Sequence, residues 1–150
     1  MDFLTGQIVF KTNPIYDGVY DHFRDQYEVK FQHMFLFCAA IGARNSHSIP
    51  FTGKGREIRS NYFSSDERNL LYSIILNDGS KGKDLEKFED NTFYSEARKL
   101  LESYAEGGME ILVKEVFAEK WDGVKLDSAY TNYSTDLLTY VASALKNVPF

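Results

Sequence analysis

The residues of this chain with the widest chemical range are its histidines, His22, His33 and His47, and its single cysteine, Cys38. Metal capture needs ligands at short paired spacings, so that two side chains reach one ion from the same turn or loop. These four residues do not stand so, and neither a CxxC nor an HExxH pattern occurs. The sequence therefore predicts no metal site and no cofactor. His33 is expected to be a partly buried helix residue hydrogen-bonded at its polar edge, with His22 near the exposed side of its helix and His47 in a loop. A nucleophilic Cys38 would need a basic neighbour and an open site. Between Phe37 and Ala39 it is desolvated instead, which raises a thiol pKa and predicts core packing. Acid pairs such as Glu86 with Glu89, or Glu115 with Glu119, can share a helix face. In a chain with 22 acidic residues they are read as solvated surface, and no general acid or base is assigned.

The remaining chemistry is electrostatic. The stretch PFTGKGREIRSN, residues 50–61, carries Lys54, Arg56 and Arg59, and Arg44 stands at its entrance. Gly53 and Gly55 would let backbone amides approach an oxyanion while the cations supply charge. A GxxxxGK[ST] pattern is not there, and nothing marks a strand feeding the loop, so nucleotide hydrolysis is not expected. The cations can meet DNA or RNA phosphates, an acidic protein surface, or only solvent. Tyr62 and Phe63, just beyond, either stack on a base or cover the core at the start of the next helix.

These residues need elements to hold them. Asn13 can cap and Pro14 can open a helix over NPIYDGVYDHFRDQY, with Tyr16, Val19, Tyr20 and Phe23 on one face. Residues Phe31 to Ile41 are apolar on every side, which predicts a buried central helix, with Gly42 as its stop. Ser64 and Glu67 have capping-box spacing ahead of Leu70, Leu71, Ile74 and Ile75. A charged segment, KDLEKFED, precedes a helix from about Asn91 that Gly107 and Gly108 are expected to end. A separate helix follows over MEILVKEVFAEKW. The last starts near Ser134 or Thr135, buries Leu137, Leu138, Val141 and Leu145, and stops before Pro149. GQIVFKT alternates weakly and reads as a strand, an extended arm, or half of a two-chain ribbon. The sum is an all-α fold of six or seven helices in one domain over residues 1–150, with a short N-terminal strand or arm.

Composition agrees with a globular protein: 43% of residues are hydrophobic, 15% are aromatic and only 3 are proline. A lone cysteine and the lack of a signal-like start fit a cytoplasmic address, and no apolar run is long enough to cross a membrane. The formal charge of −5 argues against a whole-surface nucleic-acid binder, but it is unevenly spread. Residues 43–62 are the one positive stretch, at +3, between flanks of −2 and −6.

The run YDHFRDQYEVKFQHMFLFCAAIGARNSHSIPF, residues 20–51, resembles the small accessory proteins associated with bacterial DNA phosphorothioation (Dnd-type) modification and restriction clusters. The matching positions Phe31, Phe35, Cys38, Ala39 and Gly42 read as structural, and Arg44 as a contact. The resemblance implies a non-enzymatic component of a prokaryotic DNA-modification or anti-phage defence system, engaging DNA or larger partner subunits, and it supplies no catalytic residues. Arg44, Lys54, Arg56 and Arg59 are then the expected contacts, within the basic loop 43–62. Two other readings stand beside it. One is a homodimeric ribbon-helix-helix regulator paired through GQIVFKT. The other is an enzyme that holds a phosphorylated ligand at residues 53–55.

Overall fold

The computed structural model describes Leu4 and residues 8–51, 55–78 and 91–146. Strand β1 (Val9–Lys11) leads through a 3-10 turn at Pro14–Tyr16 into helix α1 (Asp17–Tyr27). Helix α2 (Phe31–Arg44), strand β2 (Glu57–Arg59), α3 (Ser65–Asn77), α4 (Asn91–Ile111) and α5 (Tyr133–Lys146) follow. The fold is mostly helical, as the sequence predicts, but five α-helices stand among the described residues where six or seven were expected.

Two helix starts follow from their capping residues. The Asn13 side chain accepts a hydrogen bond from the Ile15 amide, and Pro14 takes the first position, where an N–H has no partner to lose. At α3 the Ser64 hydroxyl accepts from the Glu67 amide while the Glu67 carboxylate accepts from the Ser64 amide, a complete capping box.

The lower helix count comes from the glycines. Gly42 does not stop α2, which runs on to Arg44, and Gly107 and Gly108 do not stop α4. A Cβ on Gly42 would stand 2.0 Å from the Tyr104 carbonyl oxygen, and one on Gly108 would stand 1.8 Å from that of Cys38. These glycines let the backbones of α2 and α4 touch, a use that the sequence cannot distinguish from a stop. The expected helix from Met109 is the continuation of α4 into a π-helical turn at Leu112–Val116. Beyond that turn Phe117 is fully buried, 5.8 Å from the Phe23 ring and 5.3 Å from that of Tyr133.

Helix α2 lies at the centre of the core, with Met34, Phe35, Cys38, Ala39 and Ile41 buried. Phe35 packs 5.0 Å from Phe10 of β1 and 6.4 Å from Phe63. Burying each such ring contributes roughly 1.5–3 kcal/mol. Strand β1 has a partner in its own chain: it pairs antiparallel with β2, Val9 opposite Arg59, Phe10 opposite Ile58 and Lys11 opposite Glu57. Phe10 and Ile58 face the core, while Glu57 and Arg59 face outward. The pairing replaces the extended-arm reading: β1 is a strand with a partner in its own chain.

Helix α5 is the least embedded. Leu137 and Val141 are half-buried, but Leu138, expected inside, is 70% exposed. Between α1, α2 and α5 runs an apolar groove of about 350 Å³ lined by Phe23, Met34, Phe37, Leu137 and Leu138. Among the described residues no helix is long and apolar enough to cross a membrane.

Candidate functional site

The sequence pattern predicts a free basic loop over 43–62. Its described part is instead fastened along its length. The His47 amide donates to the Gly42 carbonyl at 2.8 Å and the Ile49 amide to that of Ser103 at 3.0 Å. At the sheet, Thr12 donates to the Arg56 carbonyl and Ser60 to that of Ile8. Gly55 has a structural reason: a Cβ there would overlap the Thr12 carbonyl oxygen, so its bare backbone serves the approach to the end of β1. The segment is a rail rather than a tether.

The four expected contact residues have different fates. Lys54 lies outside the described residues. Arg44 donates from Nη2 to the Ala144 carbonyl at 2.6 Å, capping the end of α5 across the molecule. Arg56 places Nη2 2.9 Å from Asp21 Oδ1 and its guanidinium carbon 4.1 Å from the centre of the Phe31 ring. Asp21 Oδ1 has no well-aligned hydrogen bond, so the pair is held by charge and by stacking on Phe31. Arg59 projects from β2 into solvent and makes no ion pair among the described residues. Arg56 thus immediately precedes the strand that carries Arg59, and Arg44 stands apart. Phe63 is buried in the core, whereas Tyr62 is 54% exposed.

Helix α4 carries a second polar feature that sequence reasoning missed. Glu102, Glu106 and Glu110 recur every four residues, and the first two are only 4% and 8% exposed. The Lys11 amide of β1 donates to Glu102 Oε2 at 2.7 Å, and Arg98 lies 3.6 Å from the same oxygen. Asn13 donates from Nδ2 to Glu106 Oε1 at 2.8 Å. Burial raises the pKa of both carboxyls, opposed at Glu102 by the Lys11 amide and Arg98, and reinforced at Glu106 by the charge of Glu110. A chamber of about 10 Å³ lies among Thr12, Tyr16, Tyr20, Glu102 and Glu106. Burial first, and then Glu106, pushes the Tyr16 phenol up to about 12. The available signal was the i, i+4 acid pair lying directly beside the apolar positions Leu101 and Ala105.

Glu110, less buried than the other two, has two side-chain partners. His47 Nε2 lies 3.1 Å and Lys114 Nζ 3.4 Å from its Oε1. Burial works against the charge, but these bonds outweigh it and hold the carboxyl below its ordinary range. His33 Nε2 lies 2.9 Å from Glu67 Oε2, the polar-edge contact expected of it, but the residue is exposed where partial burial was expected. His22 is half-buried instead of exposed: its ring packs 4.9 Å from that of Tyr133, and burial lowers its pKa. Cys38 is fully buried, and desolvation lifts its thiol far from the reactive range. Among the described residues no three His, Cys, Asp or Glu side chains come together in a way that could hold a metal ion.

A family model described as DNA sulphur modification system-associated protein 4 matches residues 25–135. That span takes in α2, the basic rail, α3, α4 and its acids. No curated protein and no solved structure matches the chain. The chain belongs to this family of proteins associated with Dnd-type DNA sulphur modification systems, in agreement with the resemblance carried by residues 20–51.

Proposed function

We propose that this member of the DNA sulphur modification-associated family is a non-enzymatic binding component that docks on a larger protein subunit of its system through the rail 43–62. Arg59 is the leading contact, with Lys54 and Tyr62 beside it in sequence. Arg44 and Arg56 act by holding the rail and α5 in place. The observation that carries this reading is the Asp21–Arg56–Phe31 assembly, which takes the central cation of the positive stretch into the protein's own structure.

A phosphate track needs several free cations, because each phosphate contact adds only part of a salt-dependent affinity. With Arg56 neutralised and Arg44 on a backbone carbonyl, the described rail offers Arg59 alone on a chain of net charge −5. One arginine on a fixed strand, near an exposed tyrosine, suits a protein surface better, since Arg and Tyr are enriched where interfaces concentrate their energy.

The test is gel filtration of the purified chain with each purified subunit of the modification system, and separately with duplex DNA. Co-elution with one subunit, lost in Arg59→Glu, is expected. Retention of DNA with a steep salt dependence, and of no subunit, would reverse the assignment from protein to nucleic acid.

A further inference from the structure

We infer that the chamber between β1 and α4 is a binding site for one small monovalent cation, with sodium the best match in size, held by Thr12, Glu102 and Glu106. Three independent features point there. Thr12 is 5% exposed, lines the chamber, and its Oγ1 is buried without a hydrogen-bonding partner among the described residues. A buried hydroxyl left so costs free energy that a ligand in the chamber recovers. Secondly, Glu106 has a neutral partner, Asn13, and no cationic one among the described residues, while Glu110 adds like charge from the same helix. A buried carboxylate without a counter-charge is strongly unfavourable. Thirdly, although Lys11, Ala105 and Met109 also line the chamber, it gathers several oxygen donors: one hydroxyl, two carboxylates, the Asn13 amide and the phenols of Tyr16 and Tyr20.

Size and charge select the ion. A volume of about 10 Å³ is near the least that admits a single water, so the ion enters without its hydration shell. Magnesium keeps several waters, for which this space has no room, and calcium brings two charges. Arg98 and the Lys11 ammonium already offset Glu102, leaving about one negative charge to neutralise. An ion here would fasten β1 to α4, and through the β1–β2 pairing it would fix the strand that carries Arg59.

The test is thermal unfolding of the full chain at pH 8 and constant ionic strength, with choline chloride replaced stepwise by sodium or potassium chloride. Sodium is expected to raise Tm saturably by about 3 °C, with potassium less effective. Glu106→Gln and Thr12→Val, both close in shape to the originals, are expected to keep the fold and abolish the sodium effect. Equal melting in sodium, potassium and choline would overturn the assignment in favour of a water beside a protonated Glu106. A sodium effect that persists in both variants would also overturn it, by placing the ion elsewhere.

Discussion

Toward α2, helix α4 offers bare backbone at Tyr104 and Gly108, whereas toward β1 it offers the carboxylates of Glu102 and Glu106. The first contact gains close packing and leaves no polar side chain to satisfy. The second buries two acids whose pKa values rise for lack of solvation. A fold selected for stability alone would have placed leucine or alanine at both acidic positions, as it does at Leu101 and Ala105. The contrast sets a close-packed seam on one side of α4 against a buried polar contact on the other.

Substitutions on the two sides sharpen or break this contrast. The largest effect is expected at the seam: Gly108→Val drives a side chain into the Cys38 carbonyl and should cost about 3 kcal/mol or more, read from the urea midpoint. A tolerated valine would mean that the helices are not in backbone contact. Next comes Asn13→Ala, which removes both the helix cap and the hydrogen bond to Glu106 and should cost about 2 kcal/mol.

A smaller effect of opposite sign is expected at Glu106→Gln in sodium-free buffer. Because the folded pKa of Glu106 is raised, the native protein keeps its proton while the unfolded chain loses it. Stability is therefore full below the unfolded carboxylate pKa and falls as pH rises through the folded one. Glutamine removes that loss, so the variant should equal the parent in acid and exceed it in alkali. A variant that is weaker at every pH would show the acid to be a structural asset. The smallest change is expected at Arg59→Glu, within about 0.5 kcal/mol of the parent, since the side chain is exposed and unpaired among the described residues.

The sequence was most legible where one local rule acted. Asn13 with Pro14, and Ser64 with Glu67, announced their helix starts, and the apolar run from Phe31 announced the central helix. It was misleading wherever the deciding partner was distant in the chain. Gly42 and Gly108 look like stops until the opposing carbonyls are known. GQIVFKT looks unpaired until Glu57–Arg59 is seen beside it, about fifty residues later. The candidate site suffered most from this. Arg44, Arg56 and Arg59 read as one free patch, yet Asp21 and the end of α5 claim two of them. Glu102 and Glu106 went unremarked because their partners, Lys11 and Asn13, lie some ninety residues upstream.

The most direct test is capture from the native host with a tagged chain, comparing the parent with a Lys54→Glu, Arg59→Glu double variant of unchanged melting temperature. The parent should bring down a larger subunit of the DNA sulphur modification system, and the variant should lose it. Equal recovery of that subunit by both would contradict docking through the rail.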